Sequence, residues 1–253
     1  NRPTGKTVCE ILDTAQLPAK IDYIFSAFPG KPNLIVWLDY TNTDRRTQLQ
    51  EALQTLIRLK HGDIFRVTLN ASANSLGAGD EWKQKGAAGP GEYRATRLRD
   101  QIIEFMPTDI TTITDDTFPA ILARCVELVA QAAESQSGIV VKPVLITSYK
   151  DGARMLTVTC AISEPNQGEQ FPSPSLSRWR FKSDNWNDLR SISAPVLSSR
   201  ERHSVDARLH RGVKRMLAGL SFLTNGDEKA SLTALESYRQ FHRYYPTFRN
   251  VDH

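Results

Sequence analysis

Four polar side chains that could take part in chemistry follow two predicted strands, and they are Asp39, Tyr40, Thr41 and Asn70. The first three come directly after the run 34–38, and Asn70 comes directly after the run 64–69. A carboxylate at the end of a strand can act as a general base toward a hydroxyl, or orient a ribose or an amine. Asp39 and Tyr40 are therefore candidate catalytic residues, and Thr41 and Asn70 candidate substrate-binding residues.

A purely structural role for Asp39 is the alternative, because apolar strands often end in a solvated acid. Asp39 could cap the helix that follows, or pair with Arg45 or Arg46. The sequence alone leaves both interpretations open.

The elements that would position these side chains form a strand, a helix and a second strand. The run 34–38 is apolar at every position, which is typical of a parallel strand with helices on both faces. Thr43 or Asp44 can cap the next helix, in which leucines at 49, 53, 56 and 59 mark one face, and Gly62 suits its end. In such a βαβ unit both strands end at the same edge of the sheet, where open α/β sheets bind ligands.

The rest of the first two thirds predicts two helices and a hairpin. Helical patterns cover residues 93–104 and 118–133, and strands 140–147 and 155–162 flank an Asp-Gly pair that suits a tight turn. Residues 71–91 are rich in Gly, Ala and Ser and are predicted to be a mobile loop that closes over the strand ends. This segment lacks the Gly-Lys-Ser/Thr ending of a phosphate-binding loop.

Composition is that of an ordinary soluble protein, with 253 residues, 40% hydrophobic and 24% charged. The apolar runs are too short to span a bilayer, so no membrane segment is expected. The three cysteines are widely separated, which favours buried free thiols in a reducing cytoplasm over disulfides or structural zinc. The histidines have no carboxylate at metal-ligand spacing, and no Ser lies in a Gly-x-Ser-x-Gly elbow, so no metal site or serine hydrolase is predicted.

Positive charge concentrates in the last third of the chain. Residues 176–253 carry 14 Lys and Arg against 8 Asp and Glu, a net of +6, within a total of +4. A helix predicted over 200–220 carries six of these cations, with Arg208, Arg211 and Arg215 on one face by their spacing. The helix is a candidate contact for nucleic acid or an acidic partner, and the alternative is a solvated face. The candidate contact residues are Arg200, Arg208, Arg211, Lys214 and Arg215.

These patterns predict an α/β fold with a boundary late in the chain. We expect a Rossmann-like domain over residues 1–163, with an incomplete parallel sheet that ends in an antiparallel hairpin. A linker rich in Pro, Ser and Gln follows over 164–176, and a basic, aromatic, helical extension covers 177–253.

The order of elements resembles the C-terminal half of Rossmann-like methyltransferases that use S-adenosylmethionine, in which the last strand is inserted antiparallel. The chain is also similar to uncharacterised bacterial O-methyltransferase-like proteins through the segments 35–40, 67–70 and 238–246. The resemblance implies S-adenosylmethionine as cofactor and an acceptor beside Asp39 and Asn70. Base methylation is not implied, because the paired prolines of an Asp-Pro-Pro-Tyr motif are absent after Asp39.

The chain departs from that family where the methyl donor binds. Its fold needs a Gly-rich turn after the first strand and an acid at the tip of the second. Neither occurs before Leu34, so the donor-binding half either precedes Asn1 or has been lost. Two functions follow: a methyltransferase or methyltransferase-like protein, and alternatively a noncatalytic scaffold that binds nucleic acid or a protein, as in a bacterial antiphage complex.

Overall fold

The computed structural model describes residues 12–26, 33–165, 179, 181–192, 195 and 197–242. Most of the predicted linker over 164–176 lies outside these residues, as do Cys9 and residues 243–246 of the tail segment.

Helices and strands alternate through the first part of the chain. After the long fifth helix, the remaining strands come first and the remaining helices follow. The helices are α1 (Leu17–Ser26), α2 (Arg45–Leu56), α3 (Glu81–Gln84), α4 (Pro90–Ile102), α5 (Phe118–Ser137), α6 (Ser199–Asp206), α7 (Val213–Ala218) and α8 (Glu228–Phe241). The strands are β1 (Ile35–Asp39), β2 (Ile64–Asn70), β3 (Val140–Asp151), β4 (Ala153–Ser163) and β5 (Arg190–Ile192).

The strands form one open, mixed sheet in the order β1-β2-β4-β3-β5. β1 and β2 are parallel, while β4 is antiparallel to both β2 and β3. The prediction of an α/β fold that ends in an antiparallel hairpin is confirmed. Gly152 lies at the hairpin turn with φ +68°, a conformation that glycine adopts without the steric cost of a Cβ.

Helix α2 forms the crossover between β1 and β2, as predicted. The Asp44 side chain accepts a hydrogen bond from the Thr47 backbone N–H, which satisfies one of the free donors of the first turn. Leu49 and Leu56 of α2 are buried in the core of the first unit, and α2 packs mainly against α5. The predicted βαβ unit is therefore present, and it sets β1 and β2 side by side.

The two faces of β1 differ in exposure, because side chains alternate along a strand. Leu38 is buried on the face covered by helices, where it joins the core with Phe65 and Val67 of β2. On the other face, Ile35 is 73% exposed and Trp37 is 55% exposed. The expectation that helices cover both faces of β1 is wrong, since an apolar run does not by itself require burial on both sides.

The segment 71–91 is partly packed, which corrects the prediction that all of it is a mobile loop. Ala71, Ala73 and Leu76 are buried, and Ala73–Leu76 forms a 3-10 helix. The backbone N–H of Ala73 also donates to Asp115 Oδ1 at 2.8 Å. Small apolar side chains at these positions fit into the core, so this first part cannot open as a lid.

The continuous helix predicted over 200–220 is two short helices, α6 and α7, joined by a turn. Ser198 and Glu201 form a capping box at the start of α6. Gly212 has an extended backbone, with φ −63° and ψ 148°, and serves as the N-cap of α7. The apolar spacing continues through the turn, which explains why periodicity predicted one helix.

The chain divides into two compact units, Asn1–Arg190 and Ser191–His253. The Ser183 backbone N–H donates to the Val144 carbonyl at 2.8 Å, so residues around 183 belong to the sheet-containing unit. The predicted linker lies upstream of this division. In the second unit a small core forms from Val205, Met216, Leu217, Leu235 and Tyr238.

Within the described ranges, no helix combines the length and the hydropathy needed to cross a bilayer.

Candidate functional site

Asp39 and Asn70 lie at the same edge of the sheet. β1 and β2 run parallel, and Asp39 pairs in register with Thr68, two residues before Asn70. Because side chains alternate, Asp39, Thr68 and Asn70 share one face of the sheet, the face on which Trp37 is exposed. The structure therefore brings these two predicted site residues together at one rim.

The Asp39 carboxylate is exposed and makes no hydrogen bond or ion pair within the described part of the chain. Asp44, not Asp39, caps α2. Arg45 points elsewhere, and Arg46 is exposed without pairing to Asp39. Both structural alternatives for Asp39 therefore fail, and a free carboxylate remains at the strand end.

Tyr40 is not part of this rim. It is buried on the helix-covered face, where its hydroxyl donates to Glu51 Oε2 at 2.6 Å. Burial, and then the neighbouring Glu51 carboxylate, raise the pKa of Tyr40 far above its ordinary value. The structure separates Tyr40 from Asp39, and the alternation along β1 is the sequence signal for this, because Tyr40 has the parity of Leu38.

Thr41 and Asn70 differ in how firmly they are held. Thr41 is exposed just after β1. The side-chain oxygen of Asn70 accepts the Ser72 backbone N–H at 3.0 Å, which fixes its orientation. Thr41 follows Asp39 by two residues, and Asn70 lies two residues beyond Thr68, the register partner of Asp39.

Arg45 is a residue of the rim that sequence reasoning did not assign to the site. It is 1% exposed and donates to the backbone carbonyls of Asn70 at 3.1 Å and Thr43 at 3.3 Å. Its guanidinium also lies 5.1 Å from the ring centroid of Phe118. Burial lowers the pKa of Arg45 to about 10, so it stays cationic near neutral pH. Arg45 thus joins the ends of β1 and β2, and only the tertiary structure reveals it.

Trp37 and Arg66 extend the same face below Asp39. The indole Nε1–H of Trp37 donates to Thr68 Oγ1 at 3.0 Å, and the Arg66 guanidinium lies 4.5 Å from the ring centroid. Thr68 Oγ1 in turn lies 3.3 Å from Thr157 Oγ1. The signal in the sequence was the two-residue spacing of Trp37 and Asp39, which places both side chains on one face of a strand.

The described residues do not include the Gly-rich turn with which Rossmann-like methyltransferases hold the nucleotide part of S-adenosylmethionine. Such a site needs glycines in a strand-to-helix turn, so that the backbone can approach the ligand. The described turn from β1 to α2 contains no glycine. β2 is followed by the packed helical turn Ala73–Leu76. The rim thus offers groups for a hydroxyl acceptor, and we assign no donor contacts to it.

The predicted cations of the second unit do not share one helix face. Arg208 and Arg211 lie in the turn between α6 and α7, while Arg215 lies on α7. Arg208 is half-buried, and its Nη1 donates to the Ser204 carbonyl at 2.7 Å. The exposed cations of the set are Arg200, Arg211, Lys214 and Arg215.

A groove of about 760 Å³ also lies in the second unit, lined by apolar side chains of α7 and α8 together with Lys214 and Glu228. It holds no convergent set of acid, base and nucleophile. Among the described residues, no group of three His, Cys, Asp or Glu side chains could hold a metal ion.

Comparison with known proteins identifies one family for the chain. No curated protein matches the chain. One family profile, described as "Putative O-methyltransferase", matches residues 1–253. The chain belongs to this O-methyltransferase family.

Proposed function

We propose that this protein takes part in methyl transfer to a hydroxyl group, with the acceptor bound at the rim formed by the ends of β1 and β2. The observation that carries the proposal is the free carboxylate of Asp39, exposed at that rim in a chain of the O-methyltransferase family. A methyltransferase-like function is the assignment that the family match supports across the chain.

Asp39 supplies the proton chemistry in this proposal. A hydroxyl oxygen becomes a better nucleophile when a base accepts its proton, and a positioned base contributes roughly 100-fold to 10,000-fold to the rate. The Asp39 carboxylate has no competing partner among the described residues, so it is available to accept a hydrogen bond from the acceptor. Thr41 and Asn70 flank it and orient the acceptor.

The methyl donor is a separate part of the proposal. Membership of the family suggests S-adenosylmethionine, although the described residues form no Gly-rich donor turn. Titration calorimetry of the protein with S-adenosylmethionine tests this part directly. We expect saturable binding, and no heat at millimolar ligand would contradict the use of this donor.

A second function rests on a different observation, the exposed cations of the second unit. We propose as the alternative a noncatalytic scaffold whose Arg200, Arg211, Lys214 and Arg215 hold nucleic acid or an acidic protein. Electrophoretic mobility of labelled DNA and RNA at low and moderate salt tests the nucleic-acid form, because phosphate contacts weaken steeply with salt. Under this alternative, Arg211→Glu with Arg215→Glu abolishes binding and Asp39→Asn leaves it unchanged. Under the enzyme proposal, Asp39→Asn abolishes methyl transfer, and Arg211→Glu with Arg215→Glu leaves it unchanged.

A further inference from the structure

The side chain of Trp37 is both exposed and rigidly held, which is an unusual combination. More than half of it, 55%, is exposed to solvent. Its Nε1–H is fixed to Thr68 Oγ1, and one side of the ring carries the Arg66 guanidinium. A ring held in this way loses little conformational freedom when a ligand stacks on it, so it is suited to binding planar groups.

Arg66 brings a positive charge to the same place. Arg66 is half-buried, and no carboxylate pairs with it in the described part of the chain. A guanidinium without a counterion favours an anionic ligand, because its donors match a carboxylate or phosphate. Charge complementarity therefore favours an anionic group at the level of Arg66, one two-residue step away from the Asp39 carboxylate.

Asp39, Trp37 and Arg66 are arranged along the strands in a fixed order. Trp37 pairs in register with Arg66, and Asp39 pairs with Thr68, one two-residue step further along β1 and β2. A two-residue step along a strand is about 7 Å. This is close to the separation between the hydroxyl and the carboxylate of a hydroxybenzoate.

We propose that this face binds an aromatic acceptor that carries a hydroxyl group and an anionic substituent. The ring stacks on Trp37, the anionic group pairs with Arg66, and the hydroxyl reaches the Asp39 carboxylate. The inference rests on the proposed function for the identity of the reaction, and it adds the chemical class of the acceptor. Trp37 and Arg66 determine specificity here, and Asp39 remains the proton acceptor.

The probe for this inference is 4-hydroxybenzoate, titrated against the intact protein without methyl donor and followed by tryptophan fluorescence and by calorimetry. We expect saturable binding that is weaker for 4-hydroxycyclohexanecarboxylate, whose ring is not aromatic, and for 4-hydroxybenzyl alcohol, which lacks the anion. Equal affinity for all three compounds, or no binding of any, would overturn the inference.

Two pairs of variants locate the binding. Trp37→Leu should weaken the affinity for 4-hydroxybenzoate about tenfold, since stacking on an aromatic side chain contributes at this level. Trp82→Leu is its control, because Trp82 also lies beside a cation, with Lys83 Nζ 5.5 Å from its ring centroid, but on α3. Arg66→Gln should weaken the affinity about tenfold, as expected for hydrogen bonds to charged groups, and exposed Arg46→Gln should not change it.

Trp37→Phe keeps a ring at the site and guards against a folding defect in Trp37→Leu. Near-native affinity in Trp37→Phe, with loss in Arg66→Gln, supports the site. Native affinity in a folded Arg66→Gln variant overturns the inference.

Binding of 4-hydroxybenzoate with this pattern of affinities, but without methyl transfer, supports the aromatic site and contradicts the proposed function. Methyl transfer to nonaromatic hydroxyl compounds, without binding of 4-hydroxybenzoate, supports the proposed function and overturns the inference of an aromatic acceptor.

Discussion

Three aspartates near β1 have three different environments, although all are of one residue type. Asp63 is buried and accepts backbone N–H groups from Leu34 at 2.8 Å and Lys60 at 2.7 Å. Asp44 caps α2. Asp39 alone among these three is left with a free carboxylate. The absence of a structural partner is what makes Asp39 the candidate base.

This difference predicts opposite effects of two neighbouring substitutions on stability. Asp44→Ala should lower the free energy of unfolding by about 1 kcal/mol, because it removes the N-cap of α2. Asp39→Asn should change it by less than about 0.5 kcal/mol, as is usual for exposed side chains without partners. Urea denaturation followed by circular dichroism measures both values. A large loss in Asp39→Asn would show that the carboxylate has a structural partner.

Tyr40 should matter for stability and not for the reaction. Tyr40→Phe removes the hydroxyl that donates to Glu51 and leaves a buried carboxylate unsatisfied, at a cost of about 1–3 kcal/mol. The control is Tyr23→Phe, whose ring is 57% exposed, with an expected change within about 0.5 kcal/mol. Denaturation midpoints measure this difference. Equal stability of the two variants would contradict the buried position of Tyr40.

The sequence predicted part of this site, for reasons visible at single residues. Strand patterns that end in polar residues indicate Asp39 and Asn70, and the parallel strands place them at one rim as expected. Tyr40 lies on the buried face because its position along the strand has the parity of Leu38, which the residue type by itself does not indicate. Arg45 donates to the carbonyl of Asn70, 25 residues away, and Arg66 stacks on Trp37 of the neighbouring strand. No local pattern in the sequence reveals such contacts.

At the scale of elements, periodicity located strands and helices well but not their interruptions. The βαβ unit and the hairpin have strong local signals, namely helix caps and the Asp-Gly turn. The break between α6 and α7 depends on the extended backbone of Gly212, which the apolar spacing conceals. The exposed face of β1 has a related cause: the hydrophobicity of a strand does not indicate whether another element covers each of its two faces.

The hairpin turn gives a test at this scale. Gly152→Ala should destabilise the first unit by about 1–2 kcal/mol, because φ is +68° and a Cβ is strained in that region. Gly91→Ala, in the first turn of α4, is the matched control, since a Cβ there meets Thr112 Cβ at an ordinary 3.4 Å. Alanine favours the helix, so Gly91→Ala should be neutral or stabilising by up to about 1 kcal/mol. Thermal unfolding compares them, and the same sign for both would contradict the turn geometry.

At the scale of the whole molecule, one sheet-containing unit carries the proposed acceptor rim, and a small helical unit carries the exposed cations. Cys125 and Cys160 lie in the core of the first unit. Burial raises the pKa of the Cys125 thiol to about 12 and that of Cys160 still higher, which suppresses the reactive thiolate.

This core predicts protection of both thiols. In native protein at neutral pH, iodoacetamide should leave Cys125 and Cys160 unmodified, and both should react once the first unit unfolds in denaturant. Peptide mass spectrometry reports the two sites separately. Rapid modification of either cysteine under native conditions would contradict the packing of α5 against β4.

Methyl transfer by Asp39→Asn tests the central claim most directly. The measurement is the rate of labelled methyl incorporation from S-adenosylmethionine into 4-hydroxybenzoate and a panel of other hydroxyl compounds, with Thr41→Val as a second rim variant. The account predicts transfer by the native protein and a loss of about 100-fold or more in Asp39→Asn, because a positioned base contributes at least this much. A folded Asp39→Asn variant that transfers methyl groups at the native rate would contradict it.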